Sequence, residues 1–170
     1  MNPLYLGDSY DLVKRFWCRE LSNLGYSVVV DPVFTGEWHG REQNYLTLIG
    51  ATLTNLPRVN ASKSALFLDP DTGVNSRGGP KHVSYERIAS ETKRHNLVFS
   101  FDQSFSRQHD AATVMDSKLA ALHVLGCRAM YYDSHARFLF AANNQERLDE
   151  LHAGVVALGL PTTRIRRYGA

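Results

Sequence analysis

Five short stretches of this chain end an apolar run with acidic or polar side chains that could do chemistry. The clearest is ALFLDPDTGV, residues 65 to 74, where four apolar residues run into Asp69-Pro70-Asp71. Carboxylates that follow a strand can bind a metal ion, position a water or accept hydrogen bonds from a ligand. The other four stretches place Asp8, Asp31, Asp102-Gln103 and Asp133-Ser134-His135 at corresponding points. Because Asp also ends strands as an ordinary turn residue, the set of five is a stronger indication than any one member.

The composition is that of an ordinary globular protein. The chain has 170 residues, of which 44% are hydrophobic and 21% charged, and this predicts one domain spanning residues 1–170. No apolar run reaches the roughly 20 residues of a membrane helix, and the first residues lack a signal-peptide pattern. We expect Cys18 and Cys127, the only cysteines, to be reduced core thiols of a cytoplasmic protein without membrane association. The net charge of +2 permits a nucleic-acid partner without requiring one.

Apolar periodicity predicts the elements that must position these side chains. Short β-branched or aromatic runs alternate with amphipathic segments, which predicts an α/β fold: a single three-layer domain with a mostly parallel central sheet flanked by helices. In such sheets ligands bind outside the carboxyl ends of the strands, so the acids should meet at one edge. The predicted strands are residues 3–7, 26–32, 64–70, 96–103, 128–135, 137–143 and an edge strand at 163–168. The predicted helices are residues 10–25, 41–53, 84–95, 111–126 and 144–160.

Metal chemistry is one use for the paired acids. Asp69 and Asp71 lie two residues apart, so both could face one Mg²⁺ ion in a magnesium-dependent nuclease. Pro70-Asp71 followed by Glu91-Thr92-Lys93 resembles the catalytic pattern of restriction-endonuclease-like nucleases, although the second part here lies in a predicted helix. The histidines and cysteines have no zinc-site spacing, so no metal is expected outside this nuclease alternative.

Two further alternatives involve nucleic acid. LFLDPD resembles the Asp-Pro-Pro-Tyr strand end of adenine methyltransferases, and GDSYDLVKR resembles small ribosomal-RNA methyltransferases. The glycine-rich loop that binds S-adenosylmethionine is missing. A non-catalytic nucleic-acid-binding domain is the other alternative, and it would depend on basic residues such as Arg164, Arg166 and Arg167.

Hydrolysis of an N-glycosidic bond needs no cofactor. It requires a carboxylate that positions water or stabilises the sugar cation, a group that assists base departure, and an aromatic ring that stacks on the flipped base. Gly7-Asp8-Ser9-Tyr10-Asp11 offers acids and a ring, and Ser134-His135 offers a histidine. This order of elements resembles the uracil-DNA glycosylase superfamily, although its full Gly-Gln-Asp-Pro-Tyr-His and His-Pro-Ser-Pro loops are absent.

Three longer segments resemble a widespread group of small bacterial proteins. The segments are YLGDSYDLVKR, FLDPDTGV with the downstream KHVSYERI, and LVFSFDQSFSR. The resemblance covers most of the chain. A phage-defence DNA glycosylase with a similar small α/β build is the nearest activity that it suggests. The resemblance to this group implies a shared site built from Asp8, Asp11, Asp69, Asp71, Gln103 and Arg107.

The leading hypothesis is therefore a hydrolase: a DNA glycosylase that excises a modified base by water attack and has DNA as its partner. Asp8 or Asp11 would position the water or stabilise the cationic sugar, and His135 would assist departure of the base. Asp69 and Asp71 would recognise the base edge. The full set of predicted substrate-binding residues is Tyr10, Asp69, Asp71, Asp102, Gln103, Ser134, Lys14, Lys81, Arg107 and Arg137.

Overall fold

A seven-stranded sheet forms the centre of the protein in the computed structural model, which describes residues 3–34, 36–53, 63–105 and 110–169. The strands in these residues are β1 (Ser27–Asp31), β2 (Thr52–Leu53), β3 (Ser64–Leu68), β4 (Gly73–Asn75), β5 (His82–Ser84), β6 (Leu97–Phe101), β7 (Arg128–Tyr132), β8 (Phe138–Ala142) and β9 (Ile165–Arg167). The central sheet has the order β2-β1-β3-β6-β8-β7-β9, and β4 and β5 form a separate parallel pair.

The direction of the strands brings the predicted acids to one edge. Strands β2, β1, β3 and β6 are parallel, β8 is antiparallel to both β6 and β7, and β9 is antiparallel to β7. Consequently β1, β3, β6 and β7 all end at the same edge, where Asp31, Asp69, Asp102 and Asp133 follow them. The predicted mostly parallel sheet is confirmed. Strands β3, β6 and β8 are buried along nearly their whole length because helices cover both faces of the sheet.

Helices form the two outer layers, as the sequence predicts. One core cluster contains Trp17, Leu21, Leu148 and Leu151 against one face of the sheet, and a second contains Met115 and Leu119 against the other. Helices α1 (Ser9–Asn23), α2 (Glu42–Ile49) and α5 (Gln145–Ala157) contribute to the first cluster, and α3 (Tyr85–Glu91) and α4 (Ala111–Val124) to the second. The three-layer α/β arrangement is thus confirmed.

The two cysteines are buried free thiols on opposite faces of the sheet. Cys18 belongs to the first core cluster and Cys127 to the second, so the sheet separates them. Burial, with the nearby charge of Asp69, raises the pKa of the Cys18 thiol to about 12, so it stays protonated. None of the helices in the described part of the chain is both long and apolar enough to cross a bilayer.

The predicted first strand is wrong. Pro3–Tyr5 form a single 3₁₀ turn, and Leu4 and Tyr5 are 80% and 67% exposed rather than buried in a sheet. Asp8 then caps α1, so a helix and not a strand follows this turn. The predicted helix at 41–53 ends early because Gly50 adopts a φ of +71°, and β2 follows it. The short strands β2, β4 and β5 were not predicted, since two or three residues carry no measurable period.

Candidate functional site

The candidate site begins at the amino terminus of α1, where the GDSYD stretch forms a reciprocal cap. Asp8 Oδ1 accepts hydrogen bonds from the backbone nitrogens of Tyr10 and Asp11, at 2.9 and 3.0 Å. Asp11 Oδ2 accepts one from the backbone nitrogen of Gly7 at 2.9 Å. Because both bonds to Asp8 go to Oδ1, its second oxygen is not needed for capping. Helix α1 runs antiparallel to β1, so this end of the helix lies at the carboxyl edge of the sheet.

A buried ion cluster lies under this cap. Lys14 Nζ contacts Asp11 Oδ1 at 3.1 Å and Asp69 Oδ2 at 3.0 Å. The hydroxyl of Tyr45, on α2, donates a hydrogen bond to the same Asp69 oxygen. All four side chains are buried, and Asp69 and Tyr45 are completely inaccessible. The ammonium therefore occupies the position between two carboxylates, which fixes the first turn of α1 onto the end of β3.

Burial governs the ionisation of this cluster. It raises the pKa of the Asp69 carboxyl, although Lys14 and the hydroxyl of Tyr45 oppose the change. For Lys14, burial alone would lower the pKa, but the attraction of Asp69 and Asp11 outweighs it, and the pKa is raised. The pKa of Tyr45 lies well above its ordinary value because of burial and the neighbouring Asp69. Asp69 Oδ1 is also buried and accepts no hydrogen bond from the described residues.

A cavity of about 220 Å³ opens directly above the ion cluster. This volume is below the roughly 300–1,000 Å³ of sites for drug-sized ligands, so the cavity suits a group of one or two rings. It brings together five of the predicted site residues and three that were not predicted. Its lining consists of Tyr5, Asp8, Tyr10, Asp11, Lys14, Pro70, Asp71 and Phe101.

The ring of Tyr10, which lines this cavity, pairs with the imidazole of His135, which lies beside the lining. The Tyr10 hydroxyl lies 2.9 Å from His135 Nε2, and the two rings stack with centroids 5.5 Å apart. Phe101, at the end of β6, also contacts the Tyr10 ring, with 5.2 Å between centroids and the ring planes tilted by 57°. Gln103 Nε2 donates a 2.7 Å hydrogen bond to the carbonyl of His135, which holds the β7–β8 loop in place. His135 itself remains exposed.

Asp71 connects the cavity to the small sheet of β4 and β5. It is half-buried and forms an ion pair with the exposed Lys81 at 3.2 Å. The backbone nitrogen of Thr72 donates to the carbonyl of Lys81 at 2.9 Å, which closes this segment against the end of β3. Asp71, rather than the buried Asp69, is thus the acid of the DPD stretch that lines the cavity.

Asp102 is held in a separate, fully bonded cluster. Its Oδ1 accepts from Val74 N, Ser104 N and Ser104 Oγ, at 3.0, 3.1 and 2.6 Å. Its Oδ2 accepts from Lys118 Nζ and Tyr131 OH, both at 2.6 Å. The residue is inaccessible, and burial lowers the pKa of Lys118 despite the attraction of Asp102. Five hydrogen bonds occupy all the acceptor positions of the Asp102 carboxylate. Asp102 therefore holds the loop after β6 in place.

Two other predicted residues, Ser134 and Arg137, lie outside the cavity lining. Ser134 Oγ donates to the carbonyl of Ala136 at 2.6 Å. Arg137 Nε forms a 2.9 Å ion pair with Asp133, and its guanidinium lies over the ring of Phe105. Arg107 lies outside the described residues.

Three important contributors escaped sequence reasoning. Tyr5 belongs to the turn that was predicted as a strand, and Phe101 is the last residue of a completely buried strand. Tyr45 lies on α2 and reaches Asp69 across 24 positions of sequence. Only the polar hydroxyl of Tyr45 on an otherwise apolar helix face was a usable signal, because a buried tyrosine needs a hydrogen-bond partner.

The acids do not assemble into a metal centre in the described ranges. No group of three or more His, Cys, Asp or Glu side chains there has the spacing to hold a metal ion. Asp69 and Asp71, the pair predicted for Mg²⁺, are used differently: Asp69 is paired with Lys14, and Asp71 with Lys81.

Comparison of the chain with protein-family models, with curated proteins and with solved structures found no match. The family resemblances drawn from short segments therefore stay predictions. The fold class is an α/β three-layer domain, and the site is a small acidic and aromatic cavity at the carboxyl edge of its sheet.

Proposed function

We propose that the chain hydrolyses an N-glycosidic bond and excises a modified base from DNA. The observation that supports this most is the lining of the 220 Å³ cavity, where three aromatic rings and three carboxylates surround a space of nucleobase size. Tyr5, which is 67% exposed, offers the ring on which a flipped base could stack, because the ring of Tyr10 already stacks with His135 and contacts Phe101. His135 is hydrogen bonded to Tyr10 beside the same space.

Asp8 is the carboxylate best suited to the reaction. Both oxygens of Asp11 are occupied, one by Lys14 and one by the backbone nitrogen of Gly7. Asp69 is inaccessible, whereas Asp8 lines the cavity and uses only Oδ1 for capping. In the proposed step, a water held by Asp8 attacks the anomeric carbon while the bond to the base nitrogen breaks. The base leaves with the bonding electrons and takes a proton from the Tyr10–His135 pair, and Asp8 accepts the proton of the water.

The Asp8→Asn variant should lose catalysis and keep its fold. Asn is as good a helix cap as Asp, so we expect the free energy of unfolding to change by less than about 1 kcal/mol. Base excision should fall at least about 100-fold, since a positioned general base contributes that much. Chemical denaturation and a base-release assay measure the two quantities. Full activity of Asp8→Asn would show that the role given to Asp8 is wrong.

The Tyr10→Phe variant tests the hydroxyl separately from the ring. It keeps the contact with Phe101 and removes the 2.9 Å hydrogen bond to His135. We expect about tenfold slower base release, which corresponds to about 1.4 kcal/mol and is within the range of one hydrogen bond. Tyr5→Phe, which removes a hydroxyl from the same cavity lining, is the matched control and should release base at the wild-type rate. Equal rates for the two variants would contradict a role for the Tyr10–His135 pair.

A strand-break assay separates this proposal from its alternatives. Unmodified and hypermodified phage DNA are incubated with the protein, with and without EDTA, and analysed before and after alkali. Breaks that appear only after alkali and survive EDTA indicate abasic sites and support the proposal. Direct breaks that EDTA abolishes indicate the magnesium-dependent nuclease instead. An absence of breaks on both DNAs overturns the glycosylase proposal in favour of methyl transfer or simple binding.

We also propose a cytoplasmic location for the protein. The two buried cysteines, on opposite faces of the sheet and without a disulfide, support a reducing compartment. Fractionation of the native cells, followed by immunodetection, would test this directly.

A further inference from the structure

A second and larger cavity, of about 670 Å³, runs between α4 and the edge strand β9. The three arginines of the C-terminal segment, Arg164, Arg166 and Arg167, all line it. Ser117 and Thr163 belong to the same lining. The chain thus has a groove whose walls carry hydrogen-bond donors suited to phosphate, apart from the acidic cavity described above.

The three arginines differ in how they are held. Arg164 Nη1 donates to the backbone carbonyl of Asp133 at 2.8 Å, a contact that orients the guanidinium without neutralising its charge. Arg166 contacts both carboxylate oxygens of Asp116, at 3.0 and 2.9 Å, but the two side chains are 36% and 55% exposed. Such an exposed ion pair is weak and can exchange for a stronger anion. Arg167 pairs with Asp149, and its Nε is buried without a hydrogen-bond partner among the described residues.

Acidic side chains in the groove do not cancel this charge. Asp116 and Asp133 also belong to its lining. Asp133 is already paired with Arg137 through a 2.9 Å contact, and Arg137 is not one of the three groove arginines. Counted together with Arg137 and Asp149, which pair with residues of the lining, the groove has four arginines and three aspartates and therefore a net positive charge.

The groove adjoins the candidate site along the sheet edge. One end of it lies at Asp133, two residues before His135. In the sheet, β9 is separated from β6 by three strand spacings, which amount to roughly 14 Å at about 4.8 Å each. At the roughly 3.4 Å per nucleotide of one strand in duplex DNA, this distance corresponds to about four nucleotides.

We propose that this groove binds the phosphodiester backbone of a single DNA strand, with Arg164 and Arg166 as the principal phosphate contacts. The inference rests on the proposed function for its choice of DNA as the ligand. Asp116 acts in it as an internal competitor, because a phosphate that binds Arg166 must displace the Asp116 carboxylate.

If Asp116 competes with phosphate for Arg166, removing Asp116 and removing the arginines should change the affinity for DNA in opposite directions. Fluorescence anisotropy measures the affinity of each variant for a labelled 20-nucleotide single strand over a series of salt concentrations. Asp116→Asn should bind about threefold more tightly, since it frees Arg166 from an exposed pair. The double variant Arg164→Gln/Arg166→Gln should bind at least about tenfold more weakly. Its salt dependence should lose about 1.4 from the logarithmic slope, at about 0.7 for each phosphate contact on a single strand.

Controls distinguish this inference from the proposed catalysis. Arg77→Gln removes an exposed arginine outside the groove and should bind like the wild type. If Asp8→Asn loses base excision and still binds the labelled strand, that loss concerns the reaction alone. Thermal unfolding of each variant verifies the fold, and the tighter binding of Asp116→Asn cannot come from misfolding. Wild-type affinity in both groove variants would overturn the proposal. Equally tight binding of inorganic pyrophosphate would also overturn it, since the ligand would then be a small phosphate compound.

Discussion

Replacing Lys14 by methionine is expected to lower the free energy of unfolding by about 3–5 kcal/mol. The ammonium is the only described cation in contact with Asp69, and it also contacts Asp11. Without it, the inaccessible Asp69 carboxylate would retain, among the described residues, only the hydrogen bond from Tyr45. For a chain of this length, the loss corresponds to a decrease of about 6–20 °C in melting temperature, at about 2–4 °C per kcal/mol. Calorimetry or denaturant unfolding measures it.

The pH dependence of this variant follows from the pKa of Asp69. Burial raises that pKa and Lys14 opposes the change, so the pKa should rise further when the ammonium is removed. A carboxyl with a raised pKa in the folded state destabilises the fold at pH values above that pKa. The destabilisation decreases as the pH falls toward the pKa of the unfolded chain. The difference between wild type and Lys14→Met should therefore be smaller at pH 5 than at pH 8.

Two variants serve as controls for the Lys14 experiment. Lys81→Met removes an ammonium from the exposed pair with Asp71 and should cost less than about 1 kcal/mol. The double variant Lys14→Met/Asp69→Asn removes both charges of the buried pair and should recover part of the lost stability. A loss in Lys14→Met no larger than that in Lys81→Met would contradict the buried ion cluster.

The second large effect is expected from Gly73→Ala, which should disrupt the Asp102 cluster. Gly73 has a φ of +141°, where L side chains are strained by about 1–3 kcal/mol. A methyl group there would lie 2.1 Å from Asp102 Oδ1 and 2.9 Å from the backbone nitrogen of Gln103. The carboxylate would have to move away from its donors, which adds about 2 kcal/mol or more for buried groups left unsatisfied.

Gly79→Ala is the matched control for this steric argument. Gly79 has a similar φ of +132°, but a methyl group there would meet no atom within 4 Å. It should therefore show the backbone strain alone. We expect Gly73→Ala to be the less stable of the two by about 2 kcal/mol or more in urea unfolding. Equal stabilities would show that the contact with Asp102 is not tight.

Long apolar strands and their polar ends were predictable from sequence. Residues 64–68 and 97–101 are apolar apart from Ser64 and Ser100, which is typical of strands covered on both faces, and this placed Asp69 and Asp102 at one edge. The cap at Asp8 was harder to recognise. An Asp three residues before another Asp fits both a strand end and a helix start, and the apolar Leu4 and Tyr5 favoured the strand.

The different environments of the acids were not predictable. Sequence spacing treats Asp69, Asp71 and Asp102 alike, because each follows a strand. Their burial depends on partners that are distant in sequence, namely Lys14 and Tyr45 for Asp69 and Lys118 and Tyr131 for Asp102. Such pairings are set by how α1, α2 and α4 pack on the sheet. Periodicity does not contain that information.

The most direct test of the central claim is the amount of free base released from hypermodified phage DNA, measured by chromatography with mass spectrometry. The wild-type protein should release a base in the presence of EDTA and leave one abasic site for each base. Asp8→Asn should release at least about 100-fold less under the same conditions. Intact bases in the wild-type reaction, or equal release by Asp8→Asn, would contradict the assignment of this cavity as a glycosidic-bond hydrolase site.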